Sequence, residues 1–461
     1  MRAILRNRHF LSLTGNGVMA VFSVLTYSIL YRFMSEADTG NWIFFQFAFL
    51  LLDTFRTGLL QTAVIKFYAG ADEARRLSVA GSAWYIGLVI TGLFLVINLV
   101  CLLFASYFTD SGVLILLKWF GLSLAVTLPF NVSIWILQAE ERFDRILYIR
   151  LLNQGSFIIL VFALYLLHDV TLTHIICAFI ASSLLTSTVA VGAGWARLAA
   201  LKNRTSSVIR EIFHFGKYSF GTFLCSNLLR SSDTFIIKFM LGPAALAVYN
   251  LPQRLLEVIE IPLRSGLATA MPSMSAAVNQ QRDNEVVDIL KKYSGFLTLL
   301  FIPIMIGVLV FANVMVGLIG GGKYVHTEAA NIYRIMIVCS LLFPLERFLG
   351  VTLDIIGKPQ LNLLKVLLAL GTNVVADVVC IRLTHSVYGA AWASTFTLVV
   401  STIYGYVVLR RFVPVNLQGV WGLATEEVRA QLNARFRKTK PVVAQKIVAT
   451  QESTVSDAVH V

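Results

Sequence analysis

The sequence predicts an all-α, polytopic membrane protein of about twelve transmembrane helices arranged as two parallel six-helix lobes. Three observations predict it: long apolar runs in a chain with only 14% charged residues, loop arginines and lysines gathered on one side, and an internal repeat offset by about half the chain. Soluble domains average about 25% charged residues. A chain that is 57% hydrophobic, with a mean hydropathy of +0.75, leaves little material outside a bilayer.

Crossing the hydrocarbon core takes about 20 helical residues. On that criterion the first six spans are 10–33, 42–68, 79–107, 113–138, 146–167 and 172–196. A basic connector starts at Arg197, and the next six spans are 213–241, 245–276, 293–320, 329–356, 360–384 and 387–412. The expected units are residues 1–205 for the first lobe and connector, 206–414 for the second lobe, and 415–461 for a polar tail with a short surface helix over 425–437. The run after Arg2, Arg6 and Arg8 is too long for a signal peptide and lacks a small-residue cleavage site, so it reads as the first span.

Loop charges orient this arrangement. One set of loops holds Arg75, Arg76, Arg142, Arg145, the connector bases, Lys291, Lys292, Lys358, Arg410 and Arg411. The other set holds Glu36, Asp38, Asp110, Asp169 and Glu328, with Lys323 its one clear base, while Arg32 and Arg382 snorkel from helix ends. Basic loops stay cytoplasmic, which places both termini there. The net charge of +13 is therefore loop and interior charge; with no basic, aromatic-interleaved domain, nucleic acid is excluded as a partner.

Catalytic chemistry finds no anchor. The five cysteines lie inside apolar runs without metal or disulfide spacing, and five of the seven histidines sit at span ends, in loops or in the tail. Gly320-Gly-Gly322 lacks the Lys-Ser/Thr of a phosphate cradle, and Glu140-Glu141 lies beside Arg142 and Arg145 in a solvated loop. No catalytic residue, metal or cofactor is expected, and the protein is not expected to be an enzyme.

Charges inside spans carry the functional signal, because they cost several kcal/mol and usually face a cavity or a partner. Asp53-Thr-Phe-Arg56-Thr-Gly-Leu59 has a partial copy in Glu260-Ile-Pro-Leu-Arg264-Ser-Gly-Leu267. Arg32-Phe-Met34 matches Lys238-Phe-Met240, Leu128-Pro-Phe130 matches Phe343-Pro-Leu345, and Arg150 matches Lys365, all at similar and slowly growing offsets. Six spans per repeat is an even number, so the halves enter the membrane alike and meet about an axis along its normal. Arg56 and Arg264 are then expected to approach one central space from opposite lobes.

With these motifs the chain resembles the oligosaccharide-lipid flippases of the multidrug/oligosaccharidyl-lipid/polysaccharide exporter superfamily. The resemblance runs over residues 10–412 and rests on Tyr31-Arg-Phe-Met-Ser-Glu-Ala-Asp-Thr-Gly40, Asp53, Gly58-Leu59, Ser232-Asp-Thr-Phe-Ile-Ile-Lys-Phe-Met-Leu-Gly242, Tyr249, Pro272, Gly357-Lys-Pro359 and Tyr388-Gly-Ala-Ala-Trp-Ala393. It implies a V of two lobes like that of the multidrug (MATE) exporters, and movement of a polyprenyl-pyrophosphate-linked oligosaccharide from the inner to the outer leaflet of a bacterial cytoplasmic (inner) membrane, for surface polysaccharides such as the O-antigen of lipopolysaccharide. The expected partners are that glycan, the bilayer, and polymerase and export machinery. Arg56 and the tail depart from the family pattern.

A pyrophosphate cannot cross hydrocarbon without replacing its hydration, and arginine's planar fork suits it. Arg56 and Arg264 are the first expected substrate-binding residues, Arg230 and Arg254 the next, with Lys118, Arg347 and Lys365 behind them. Substituting Arg56 or Arg264 is expected to abolish export at normal protein level. The bland alternative is pairing within each helix, Asp53 with Arg56, Glu260 with Arg264 and Asp233 with Arg230. For Lys118 and Lys365 the expectation is snorkelling to the membrane surface. Pro252, Pro262 and Pro272 shape or hinge one helix. Asp377 is the deep acid without a nearby base and the candidate for energy coupling. Two other functions compete: a cation-coupled multidrug exporter, which needs uncompensated buried carboxylates, and a membrane enzyme of lipid-linked glycan assembly, which the short loops disfavour.

Overall fold

The computed structural model describes residues 8–415, with side chains from residue 21 onward apart from residues 218 and 222. The short helix expected over 425–437 lies outside the described residues. Each apolar run folds as a helix because no water is available in a bilayer to take unpaired backbone groups. In chain order the helices are α1 Arg8–Phe33, α2 Glu36–Tyr68, α3 Glu73–Leu103, α4 Ser111–Ala139, α5 Phe143–Leu166, α6 Leu172–Gly192, α7 Ser206–Leu241, α8 Pro243–Asn279 and α9 Asp283–Gly320. They continue with the short α10 Gly322–Val325, α11 Ala329–Cys339, α12 Phe343–Ile355, α13 Pro359–Thr384 and α14 Tyr388–Leu409.

The span expected over 329–356 is two helices. A 3₁₀ turn at Ser340–Leu342 separates α11 from α12, and Pro344 sits in the first turn of α12, where its missing amide costs nothing. Among the described residues nine helical segments are long and apolar enough to cross a membrane, with α11 and α12 counted as one. The 36-residue α7 and 37-residue α8 each reach about 54 Å at 1.5 Å per residue, ample for a crossing, but they carry the polar lining of the interior. Together with α1 these make the twelve crossings. Despite Pro252, Pro262 and Pro272, α8 runs unbroken from Pro243 to Asn279.

Helix packing repeats between the halves. In the first lobe α1 packs on α5, α5 on α6, α2 on α3 and α4, and α4 on α6; in the second α7 packs on α13, α13 on α14, α8 on α9, α11 and α12, and α11 and α12 on α14. The halves therefore have one topology and one orientation, the parallel duplication that the motifs predict. The chain is a multi-pass membrane protein of two six-helix lobes.

How the lobes meet differs along the membrane normal. At the end where α1 runs into α2 and α7 into α8, one apolar core draws on both lobes: Tyr27, Tyr31, Ile43 and Phe44 pack with Ile237, Leu246, Tyr249, Val316 and Tyr324. At the opposite end, which carries the connector, the cores are separate. One, built on Leu60, Val64, Trp84 and Trp135, also takes in Val208 and Ile212 from the start of α7; the other, on Leu263, Met274, Phe348 and Leu409, draws on the second lobe alone. The bundle is thus closed at the first end by one shared core, whereas at the connector end the lobes have separate cores and meet where α7 packs on α2.

Small residues permit the closure. A Cβ on Gly40 of α2 would lie 1.7 Å from the carbonyl oxygen of Pro243, so only glycine lets the start of α2 touch the start of α8. Charge reinforces it. Lys238 of α7, with a fully buried side chain, donates to both carboxylate oxygens of Asp110, the N-cap of α4, at 2.8 and 2.6 Å. Arg32, exposed at the end of α1, donates from its guanidinium to the Leu318 carbonyl of α9 at 2.5 Å, and Lys323 donates to the Met34 carbonyl.

Candidate functional site

Beneath the closed end lies a cavity of about 370 Å³ between α1, α2, α5 and α6 of the first lobe and α7 and α8 of the second. Its position follows from the sequence of α8, whose Asn250, Gln253, Arg254, Glu257 and Glu260 recur at three- and four-residue spacings and form one polar face. That face needs a wet partner, because the opposite one, with Leu256 and Leu263, is buried in the lobe cores.

Arg254 is the centre of the cavity's charge. Its Nη2 donates to the Tyr27 hydroxyl at 2.6 Å, its Nη1 to Glu257 at 3.2 Å, and its Nε to Asn250 Oδ1 at 3.2 Å. The guanidinium also lies over the Tyr27 ring, 4.2 Å from the centroid. The Tyr27 hydroxyl in turn donates to Gln46, so one chain of hydrogen bonds crosses from α8 to α1 and α2. Arg230 of α7 lines the same cavity, 3.8 Å from Glu257 and 56% exposed in its side chain, with donors to spare. Two guanidinium groups against one carboxylate give the lining a net positive charge. Arg230 and Arg254, the second choices on sequence, are the two cations brought together.

Arg56 and Arg264 are not. The expectation that they share a central space is corrected by their surroundings. Arg56 is fully buried inside the first lobe, 2.5 Å from Asp53, and donates to the Leu124 carbonyl at 2.8 Å, Thr127 at 3.0 Å and Thr91 at 3.5 Å. It fastens α2 to α3 and α4. Arg264 pairs with Glu260 at 3.2 Å further along α8 toward the connector end, with 61% of its side chain exposed.

The pairing expected between Arg230 and Asp233 is also corrected. One turn apart on α7, they point to different neighbours: Arg230 to Glu257, and Asp233 into the second lobe, where it accepts from Tyr249 at 2.7 Å and Ser394 at 3.1 Å. Asp377 of α13 is fully buried, and neither of its carboxylate oxygens has a hydrogen-bond donor among the described residues. Its nearest charged neighbour is Asp233, across a contact that Ser232 and Asn373 close at 2.6 Å. Among the described residues no base joins this pair. Two buried carboxylates side by side cannot both stay ionised without a proton or a cation between them.

Lys365 does not snorkel to the surface. It is buried, and its ammonium donates to Glu346 at 2.7 Å inside the second lobe. Lys118 is exposed and lies over the Trp119 ring, 5.5 Å from its centroid. Arg347, 58% exposed in its side chain, lies 3.8 Å from Glu346. The polar residues that sequence reasoning missed are neutral: Tyr27, Gln46, Asn153 and Gln154 all line the cavity.

Comparison with known proteins agrees with this architecture. The lipid II flippase MurJ in an inward closed conformation superposes with a TM-score of 0.71 at 13% identity, covering 93% of both chains. An inward-facing multidrug resistance MATE transporter of the MOP superfamily gives 0.67 at 14% identity, covering 92% of this chain and 96% of that one. In sequence, the probable low-salt glycan biosynthesis flippase Agl15 of Haloferax volcanii is 22% identical over 219 residues, which span 48% of this chain and 46% of that protein. The model of the polysaccharide biosynthesis protein family matches residues 29–329, from the end of α1 to the start of α11, and the chain belongs to that family.

Proposed function

We propose that this protein is a flippase that carries a polyprenyl-pyrophosphate-linked oligosaccharide across the bacterial cytoplasmic membrane by alternating access, for surface polysaccharide biosynthesis. The observation that carries the reading is the pair Arg254 and Arg230 in a polar cavity between two membrane-embedded lobes. A pyrophosphate shielded there exchanges its hydration for charge-assisted hydrogen bonds from two guanidinium groups. The connector end is taken as the cytoplasmic one, with both termini on that side, and the cavity is loaded from there, where lipid-linked sugars are assembled. Arg264, on the exposed stretch of α8, lies on the way in. The translocated glycan passes on to polymerase and export machinery, and the protein itself makes and breaks no covalent bond.

Asp233 and Asp377 supply the coupling: the buried pair takes up a proton or a monovalent cation, and its charge state biases the second lobe. The same pair would serve a cation-coupled multidrug exporter, and the fold likeness to MATE transporters suits that second reading. The arginines decide between them, because a cationic drug is repelled where an anionic headgroup is held.

The test is export of surface polymer by Arg230→Gln, Arg254→Gln and the double variant, at matched protein level. Loss of export, at least tenfold in the double variant, is expected; full export by it removes the cationic cavity from the mechanism. Asp377→Asn is expected to abolish the dependence of transport in proteoliposomes on a proton or sodium gradient. An unchanged gradient dependence would take the carboxyl pair out of coupling.

A further inference from the structure

The cavity's two walls differ in kind. The second lobe contributes only charged side chains, Arg230, Arg254 and Glu257, whereas every residue that the first lobe contributes is uncharged. That neutral wall pairs three carboxamides, Gln46, Asn153 and Gln154, with the aromatic rings of Phe157 and Phe179 backed by Trp42. A carboxamide offers two N–H donors and a carbonyl acceptor, and most of this capacity is unspent. Among the described residues Gln154 donates once, to Thr26 at 3.3 Å, and Asn153 once, to Thr186 at 3.4 Å. Gln46 accepts from Tyr27 and has its amide N–H groups left over. The indole N–H of Trp42, on the same wall, is buried with no acceptor among the described residues.

Amides that offer both donors and acceptors beside aromatic rings suit a sugar, whose hydroxyls need paired hydrogen bonds and whose C–H face is apolar. The register also fits. Gln46 is linked to Arg254 through the Tyr27 hydroxyl, two hydrogen-bond lengths or roughly 5 Å away. A ring attached directly to a pyrophosphate on Arg254 would reach that far.

We propose that the first-lobe wall is the subsite for the sugar adjoining the pyrophosphate, and that it accepts an uncharged hexose or N-acetylhexosamine and rejects a uronic acid. No cation stands on that wall to pair a carboxylate, and Glu257 at its border repels one. The assignment rests on the flippase reading and adds selectivity to it: the second lobe holds what all such lipids share, and the first lobe holds what distinguishes them.

The experiment measures binding to the full chain in nanodiscs with three probes: a short-chain polyprenyl pyrophosphate, the same lipid carrying N-acetylglucosamine, and the same lipid carrying glucuronic acid. The wild type is expected to bind the N-acetylglucosamine lipid about tenfold more tightly than either other probe, the scale of discrimination that a few paired hydrogen bonds provide. In Asn153→Leu/Gln154→Leu that ratio falls to near one, whereas Arg254→Gln weakens all three probes together. Asn153→Arg is expected to raise affinity for the glucuronic acid lipid several-fold, a gain that a merely misfolded variant cannot give. A wild type that binds the bare lipid as tightly as the N-acetylglucosamine lipid, or an Asn153→Leu/Gln154→Leu variant that keeps the ratio, overturns the subsite alone. A wild type that binds none of the three overturns the flippase reading and the subsite with it.

Discussion

Asp110→Asn tests how the closed end is held. Lys238 has no exposed side-chain surface, lies over the rings of Phe44 and Phe239, and finds its countercharge in Asp110 of the other lobe. Breaking a fully buried pair costs about 3–5 kcal/mol. Asp110 keeps 38% of its side chain exposed, so solvent screens the interaction and about 1–2 kcal/mol is the fitting estimate. Each 1.4 kcal/mol is tenfold in an equilibrium, so the variant should shift the closed-to-open ratio of this end by roughly tenfold. Acid should do the same. Burial alone would raise the Asp110 carboxyl, but the Lys238 hydrogen bond and the backbone N–H groups of Val113 and Gly112 outweigh it and hold the carboxyl below its ordinary value. A depressed carboxyl favours the closed form above the ordinary carboxylate range, about pH 4, and loses that contribution as pH falls through the lowered value. The assay is the distance between spin labels on Thr109 and Gly322. A longer component should grow in Asp110→Asn at neutral pH and in the wild type on acidification, and Lys238→Met/Asp110→Asn should grow it less than Asp110→Asn alone. Identical distributions in all of these would show that the ion pair does not hold the lobes together.

Arg56→Met should lower stability by about 3–5 kcal/mol and reduce protein level rather than selectively stop transport, because it leaves Asp53 buried without its partner. Thermal unfolding in detergent measures this, and Asp53→Leu/Arg56→Met should recover most of the loss. Gly40→Ala should force α2 away from the start of α8, at about 1–3 kcal/mol for an overpacked contact. The spin-label distances that report on Asp110 should lengthen, and an unchanged distance would mean that the helix starts are free to slide apart without consequence.

The helices and their duplication were legible because hydrophobic run length and loop charge are local properties. Even the break between α11 and α12 had its signal in Pro344. Side-chain partners were another matter. The three-residue spacing of Asp53 and Arg56 is visible in the sequence, but Leu124, Thr127 and Thr91, which close around that arginine from two other helices, are not. The same spacing between Arg230 and Asp233 suggested a pair, yet residues three apart differ by about 60° around a helix axis, enough at a lobe boundary to send one into the cavity and one into the lobe. Asp377 stood out as an acid without a base, but nothing local marks Asp233 as its neighbour across α7 and α13. The neutral wall was hidden because Asn, Gln and Tyr inside apolar runs also serve as ordinary links between helices.

Arg254 spends one of its N–H groups on Tyr27, a residue of the opposite lobe. If the protein is the proposed flippase, an arriving diphosphate that claims that same N–H must take it from the tyrosine, so cargo and clasp compete for a single donor. Loading would then loosen the seam that keeps the far side shut, and a vacant transporter would stay sealed without any separate sensor.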